Sequence, residues 1–246
     1  VSGVAGGRRA RSRAPVLRCV TCDSCEDEGM CGRYALWAGE EHLATLFDID
    51  EVVDPGFTGS WNVAPGQGVP AVMERYADPH ATAPSKRGEG KRQLRCLQWG
   101  FIPHWAKSDS RPMINARAET LTEKPSFRDA AHKRRCLIPA NGYFEWQQEQ
   151  GGKQPWFLSA GEGDPLLAFA GLYEAWRPGE GQPWVRTCAI VTRSAPDAIG
   201  QIHDRCPLVV PQDMWADWLD PRPLESPEVR RMIDAIVLKI GRAVQQ

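Results

Sequence analysis

Met30-Cys31-Gly32-Arg33 is the segment around which the rest of the chain is organised. If Met30 is the initiator, methionine aminopeptidase removes it readily before a residue as small as Cys31. Cys31 then carries a free α-amine and a free thiol, whose ordinary pKa values of about 7.7 and about 8.5 leave useful nucleophilic fractions near neutrality. Such an amine condenses with an aldehyde to an imine, and the thiolate then closes a thiazolidine ring. The alternative is that Cys31 is an internal, half-buried cysteine that follows a disordered leader.

The composition is that of one ordinary globular domain. The chain has 246 residues, of which 42% are hydrophobic and 25% charged, and its net charge is −1. No apolar run approaches the roughly 20 residues that span a bilayer, and the first 29 residues lack the hydrophobic region of a secretory signal. The eight scattered cysteines indicate reduced thiols. We therefore expect a cytoplasmic protein, associated with the nucleoid if it is bacterial.

The charge is unevenly distributed along the chain. From Lys86 to Arg135 there are 13 Lys+Arg against 5 Asp+Glu, a net charge of +8, so the remainder carries −9. A basic band on an otherwise acidic protein suggests a polyanion as partner. A solvated face with a mobile loop explains the same composition, and both interpretations stay open at this stage.

Residues 1–29 are predicted to be a disordered leader that is absent from or removed in the mature protein. They are rich in Gly, Arg and Ser and show no apolar periodicity. Within them, Cys19, Cys22 and Cys25 have a spacing that fits half of a metal site, but a fourth ligand is missing unless Cys31 supplies it. We expect no metal and no cofactor.

Short strands dominate the remaining pattern. Apolar alternation predicts strands at 69–76, 95–101, 136–138, 143–147, 156–158, 166–170 and 187–192. Helical periodicity predicts helices at 40–47, 126–135, 213–219 and 227–240, the last with Ser226 as its N-cap and Pro227 at its first position. Because strands and helices do not alternate as βαβ units, the fold class is α+β, built on antiparallel sheets.

Aromatic and basic residues cluster between Gln98 and Glu119. Trp99 and Trp105 flank Gly100 and Pro103, and Arg117 follows shortly afterwards. Indoles stack on unpaired bases at about 1–3 kcal/mol each, while arginines hold phosphates. Either tryptophan alone fits equally well in a core.

Two further residues could move protons. Period-2 alternation places Tyr143 and Glu145 on one face of a strand, and a crowded face would desolvate the carboxyl and raise its pKa. The alternative is a Glu145 that faces water or pairs with an arginine. His203 could shuttle protons if Asp204 or a backbone carbonyl orients it, although a lone histidine is more often structural.

Six motifs occur in order between residue 30 and about residue 211. They are Met-Cys-Gly-Arg-Tyr, Trp-Asn-Val-Ala-Pro-Gly, Trp-Gly-Phe-Ile-Pro-x-Trp-Ala-Lys, Ile-Asn-Ala-Arg-Ala-Glu-Thr, Pro-Ala-x-Gly-x-Phe-Glu-Trp and Ile-His-Asp-Arg. Together they resemble the SRAP family, the SOS response-associated peptidases or abasic-site processing proteins. The resemblance implies a single domain from residue 30 to residue 246, in which antiparallel sheets form a barrel-like core with flanking short helices. Compared with the family pattern, part of the C-terminal end is expected to be missing.

The resemblance also implies a function in DNA repair. The protein would sense and shield abasic sites in single-stranded DNA, through a covalent thiazolidine crosslink to an N-terminal Cys31 that removal of Met30 or the leader exposes. The family's peptidase, or hydrolase, label would correspond to autoproteolytic exposure of Cys31, and its imine chemistry is lyase-like. The implied catalytic residues are Cys31, Asn115, Glu145 and His203. The implied DNA-binding residues are Arg33, Asn62, Pro65, Trp99, Pro103, Trp105 and Arg117. We expect a monomer, with replication-fork proteins as further candidate partners.

Two other classes of protein remain as alternatives. N-terminal-nucleophile amidohydrolases, such as glutamine amidotransferases, also begin Met-Cys-Gly, and Asn141-Gly142 could mimic their oxyanion-hole pair. That interpretation leaves the basic band and the tryptophans without a purpose. A non-catalytic single-stranded DNA-binding module is the second alternative, in which Cys31 would be dispensable.

Overall fold

A computed structural model describes residues 18–19, 32–76, 90–109, 111–161 and 166–244. Except for a short strand at Arg18–Cys19, the predicted leader lies outside the described residues. Cys31 lies outside them too, as do the side chains of the leader cysteines. The interpretations of these residues therefore stay predictions.

The seven predicted strands and four predicted helices are present, but the strand predicted at 95–101 begins at Gly90 and the strand predicted at 166–170 continues to Trp176. Six further short strands and one short helix among the described residues were not predicted. The strands are β1 (Arg18–Cys19), β2 (Arg33–Leu36), β3 (Glu51–Val52), β4 (Ser60–Val63), β5 (Gly68–Tyr76), β6 (Gly90–Trp99), β7 (Asn115–Arg117), β8 (Arg135–Ala140), β9 (Gly142–Glu149), β10 (Gly152–Ser159), β11 (Leu167–Trp176), β12 (Val185–Ser194) and β13 (Arg205–Pro207). The helices are α1 (Glu40–Leu46), α2 (Pro125–Lys133), α3 (Asp197–Gly200), α4 (Trp215–Leu219) and α5 (Ser226–Val244), with 3-10 turns at Ala118–Thr120 and Gln212–Met214.

The larger sheet closes on itself. Its order is β13-β12-β11-β8-β5-β6-β3, and β12 also pairs with β6, so the strands from β12 round to β6 form a ring. The closing contact is parallel and joins Thr187 to Gln98 and Cys188 to Trp99, whereas the other pairs in the ring are antiparallel. The predicted α+β fold with a barrel-like core of mostly antiparallel strands is confirmed.

A second sheet, in the order β1-β10-β9-β2-β4, packs on the barrel through an aromatic cluster. Tyr34 of β2 lies 5.4 Å from the Trp99 ring of β6 and 6.1 Å from the Phe169 ring of β11. Tyr143 of β9 approaches Phe169 edge-on at 5.9 Å. All four rings are buried, and such aromatic pairs stabilise by about 0.5–1.5 kcal/mol beyond the area that they bury. The cluster therefore fixes one face of β2 and β9 against the barrel.

The last helix covers the core with the apolar stripe that its sequence predicts. Val229, Ile233 and Ile236 are buried, and they recur at helical spacing. The predicted N-cap is wrong, because Ser226 is the first residue of the helix and its hydroxyl contacts His132 Nε2 at 3.0 Å. Glu228 instead accepts a hydrogen bond from the Glu225 N–H at 2.8 Å. None of the described helices is long and apolar enough to cross a membrane.

Candidate functional site

Strands β2 and β9 bring the first candidate residues together. Arg33, the first residue of β2, pairs with Phe144 of β9, so the chain enters this sheet beside Glu145. Tyr34 pairs with Tyr143, and both point into the aromatic cluster. The register therefore places the segment that follows Cys31 next to the candidate proton donor.

Glu145 is buried, with a relative exposure of 1%. Tyr143 is buried on the same face, while Phe144 and Trp146 on the other face are half-buried, as the period-2 alternation predicts. Cys206 of β13 is close enough for the Glu145 charge to contribute to raising the pKa of its thiol, after the larger effect of burial. The carboxyl group therefore lies between the sheet and the segment that follows His203.

The His203 ring is held through one nitrogen. The backbone N–H of Arg205 lies 3.1 Å from Nδ1, which suits the lone pair of a neutral imidazole. The Asp204 carboxylate lies 3.0 Å from the same atom, which suits a ring that carries a hydrogen on Nδ1. Nδ1 therefore has a partner whether or not it carries a hydrogen, and Nε2 is the atom left to exchange protons with a ligand. The ring is about one-quarter exposed, so a ligand can reach it.

Arg205 connects the His203 turn to the strand that carries Asn115 and Arg117. Its guanidinium donates to both oxygens of Glu119, at 2.8 and 3.0 Å, and to the Thr192 carbonyl at 2.9 Å. Burial alone would raise the pKa of Glu119, but hydrogen bonds from Arg205 and from backbone N–H groups, with the Arg205 charge, lower it to about 2. On the other side of the turn, Gln147 of β9 donates to the Gln201 carbonyl at 2.9 Å. The sequence motifs contain both Glu119 and Arg205, but they did not predict this pairing.

Asn115 and Arg117 lie on β7, a three-residue strand parallel to β12. Asn115 pairs with Ile190 and Arg117 with Thr192. Asn115 is half-buried, whereas Arg117 is exposed, as a residue that contacts phosphate must be. The indole N–H of Trp99 donates to the Ile114 carbonyl at 2.9 Å and thereby supports the start of this strand.

Asn62 lies on β4, the strand that pairs with β2, and Pro65 follows the end of β4. Both residues are exposed. Arg33 Nη1 donates to Asn62 Oδ1 at 3.3 Å, so these two predicted DNA contacts are neighbours. Beside them, the Trp61 ring stacks on Trp37 at 4.2 Å and is 69% exposed. This flat, exposed ring is a base-stacking candidate that the sequence motifs did not single out.

The predicted aromatic contacts separate into buried and exposed residues. Trp99 is 0% exposed and belongs to the aromatic core cluster, so its ring is not open to a base in this structure. Pro103 is buried as well, and Trp105 is 57% exposed. The loop of Trp105 is held at its base, where Trp176 Nε1 donates to the Ala106 carbonyl at 2.7 Å. Of these three residues, only Trp105 presents a ring to solvent.

The described thiols are unsuited to nucleophilic chemistry. Cys96, Cys136, Cys188 and Cys206 are free, in agreement with the expectation of reduced cysteines. Burial raises the pKa of Cys136, Cys188 and Cys206, and desolvation followed by the charge of Asp54 raises that of Cys96. A raised pKa lowers the thiolate fraction at neutral pH.

Asn141 and Gly142 serve the fold in this structure, which disfavours the amidohydrolase alternative. Asn141 Oδ1 accepts hydrogen bonds from the backbone N–H groups of Trp37 and Ala38, at 2.9 and 3.3 Å. Gly142 is buried so tightly that a Cβ there would lie 2.4 Å from the Phe157 ring. Both residues therefore have a structural role that explains their presence without an oxyanion hole. In the part of the chain that the structure describes, no group of three or more His, Cys, Asp or Glu side chains is placed to hold a metal ion.

Solved structures share this architecture. A protein from Bacteroides thetaiotaomicron superposes with a TM-score of 0.69, at 24% identity, over 82% of this chain and 86% of its own. A phage-related protein from Bordetella bronchiseptica gives a TM-score of 0.60 at 29% identity, over 83% of this chain and 88% of its own. The molecule is therefore an α+β domain of a recurring fold.

The chain belongs to the SRAP family, described as SOS response associated peptidase, whose profile matches residues 30–242. The abasic site processing protein YoaM of Bacillus subtilis is 38% identical over 197 residues, which cover 78% of this chain and 80% of YoaM. The abasic site processing protein YedK of Escherichia coli is 34% identical, over 77% of this chain and 79% of its own. The abasic site processing protein HMCES of Gallus gallus is 29% identical, over 71% of this chain and 57% of its own. The resemblance seen in the six motifs is confirmed.

Proposed function

We propose that this protein recognises abasic sites in single-stranded DNA and protects them by a covalent thiazolidine crosslink to Cys31. The relatives named as abasic site processing proteins support the DNA lesion as the substrate. The single observation that carries the proposal is the register of β2, where Arg33 lies beside Phe144 and therefore next to the buried Glu145. Cys31 precedes Arg33 by only two residues, a distance of about 7 Å at full extension.

The reaction begins with the opening of the abasic sugar. Glu145 assists the conversion of the closed hemiacetal to the aldehyde by proton transfer. The α-amine of Cys31 then attacks C1′, and loss of water from the carbinolamine gives an imine. His203, held through Nδ1, moves the protons that this dehydration requires through its Nε2 atom. Asn115 orients the sugar or the amine.

Closure of the ring protects the strand. The Cys31 thiolate adds to the imine carbon, and the nitrogen takes up a proton, so the overall change is the loss of one water. Because the imine is consumed, it cannot promote β-elimination, which would cleave the strand. Arg33 and Arg117 hold the flanking phosphates, and the exposed rings of Trp61 and Trp105 offer surfaces for neighbouring bases.

The test uses protein whose first residue is Cys31 and a single-stranded oligonucleotide with one abasic site. We expect an adduct that survives SDS, with the mass of the protein plus the oligonucleotide less one water. Cys31→Ala and Cys31→Ser lack the thiol but keep the α-amine, so neither should give such an adduct unless borohydride reduces the imine.

Three outcomes would contradict the proposal. The first is the absence of an adduct with a verified Cys31 terminus. The second is an equal adduct from the 246-residue chain whose mass shows that residues 1–30 are still attached, because a peptide bond then blocks the Cys31 amine. The third is release of ammonia from glutamine without any crosslinking, which would favour the amidohydrolase alternative.

A further inference from the structure

A basic cavity of about 330 Å³ lies at one end of the barrel, formed by six separate segments of the chain. Its cationic side chains are Arg75 at the end of β5, Arg95 on β6, Lys133 and Arg134 at the end of α2, and Arg186 at the start of β12. Tyr76, Tyr173 and prolines from the segment before α5 complete the wall. We call this site the basic cavity.

The two carboxylates in the wall do not balance these cations. Glu74 pairs with Arg92, at 3.5 Å. Glu174 is committed to Arg134, at 2.6 Å, and to His104, at 3.1 Å. In the described parts of the chain, no carboxylate lies within ion-pair distance of the remaining four cations, which are Arg75, Arg95, Lys133 and Arg186.

The arginines of the cavity are close enough to disturb one another. Desolvation by burial, followed by the charges of Arg186 and Arg75, lowers the pKa of Arg95, and the charges of Asp54 and Glu51 offset only part of this effect. The buried Nε atom of Arg134 also has no hydrogen-bond acceptor among the described residues. Convergent, partly desolvated cations with unused donors are stabilised when an anion enters between them.

The basic cavity is separate from the candidate site described above. Arg186 pairs with Ala175 near the start of β12, whereas Thr192 near its end pairs with Arg117. Six residues of strand separate the two positions, which is about 20 Å. A ligand in the cavity would therefore not touch the residues assigned to the lesion.

We propose that the basic cavity binds a phosphate group. Arginine forks match the paired oxygens of phosphate, and four cations that form no ion pair with the described residues fit a multiply charged oxyanion better than a single carboxylate. The apolar part of the wall, with Met73 and the tyrosine rings, favours a phosphate that is attached to an organic group. Such a phosphate comes from a free oligophosphate such as a nucleotide, or from the backbone of a DNA strand that extends beyond the lesion site.

The test compares two double variants that remove the same charge. Lys133→Gln/Arg186→Gln removes two exposed cations from the cavity, and Arg128→Gln/Arg231→Gln removes two exposed cations elsewhere. Calorimetric titration at low salt measures the binding of pyrophosphate and of adenosine triphosphate. We expect the cavity variant to bind both at least about tenfold more weakly than the wild type and the control variant, which should agree with each other. Equal melting temperatures would show that both variants are folded.

A second titration identifies the source of the phosphate. If DNA occupies the cavity, the cavity variant also binds undamaged oligothymidylate more weakly and with a shallower salt dependence than the control variant. If a free oligophosphate occupies it, oligothymidylate binding is the same in both variants, and only pyrophosphate and adenosine triphosphate are affected. Equal binding of every probe by the two variants would overturn the proposal. Because the test uses undamaged DNA and free anions, its outcome does not depend on crosslinking at Cys31.

Discussion

The pair between Glu119 and Arg205 gives a prediction whose size and pH dependence both follow from the structure. Arg205 is 10% exposed and donates to both carboxylate oxygens, so Glu119→Gln leaves a largely buried guanidinium without its anion. A shift of the Glu119 pKa from 4.5 to about 2 corresponds to at most about 3.4 kcal/mol of folding free energy. The Glu119 side chain is 46% exposed, and solvent screening reduces the expected loss to about 1–2 kcal/mol.

The sign of the pH dependence follows from the direction of the pKa shift. A carboxyl whose pKa is lowered by folding stabilises the native state above its ordinary pKa of 4.5, and this contribution disappears as the pH falls towards 2. The difference in unfolding free energy between the wild type and Glu119→Gln should therefore have its maximal value at pH 7. By pH 3 it should have lost roughly half or more of its value.

Urea unfolding at pH 7 and pH 3 measures the loss of unfolding free energy in Glu119→Gln and its change with pH. Glu123→Gln is the matched control, since Glu123 pairs with Arg230 at 2.9 Å but the two side chains are 60% and 53% exposed. We expect that control to cost less than about 0.5 kcal/mol at either pH. The reasoning is refuted if the two variants are equally stable at pH 7, or if the gap for Glu119→Gln does not change with pH.

Three further predictions concern packing and DNA binding. Gly142→Ala should lower the free energy of unfolding in urea by about 1–3 kcal/mol, because its Cβ would lie 2.7 Å from the Leu158 carbonyl oxygen. Gly151→Ala is the control and should be nearly neutral, because the space around Gly151 is open. Trp61→Ala should weaken binding of single-stranded DNA by about 1–3 kcal/mol in fluorescence anisotropy, whereas Trp184→Ala, similarly exposed, should not. Arg33→Ala or Arg117→Ala should each reduce the slope of log affinity against log salt by about 0.7, and an unchanged slope would remove that residue from the phosphate contacts.

Local sequence patterns predicted seven of the strands, four of the helices and the face of β9 that Glu145 shares with Tyr143. Alternation along β9 separates Tyr143 and Glu145 from Phe144 and Trp146, and burial in the structure follows the same division. The apolar stripe of α5 was also predicted correctly from the sequence. The N-cap of that helix was not predicted correctly, because the Ser226 hydroxyl contacts His132, which lies 94 residues earlier in the chain.

The aromatic motifs show why the site could be predicted only in part. Trp99 and Trp105 belong to the same sequence motif, yet one is fully buried and the other 57% exposed. The difference arises because Trp99 ends the strand that closes the barrel against β12. Trp61 belongs to one of the six motifs but was not predicted to bind DNA, and its exposure on top of Trp37 follows from the pairing of β4 with β2.

By itself, the sequence determined the family, the α+β class and the identity of the candidate reactive groups, because ordered motifs and local periodicity are properties of neighbouring residues. The tertiary structure alone decided which strands close the barrel, the Arg205–Glu119 pair and the basic cavity. These features join residues that are tens of positions apart, from Arg75 to Arg186 in the cavity. Burial and charge balance at such places depend on which strands become neighbours, and that pairing is a property of the folded chain as a whole.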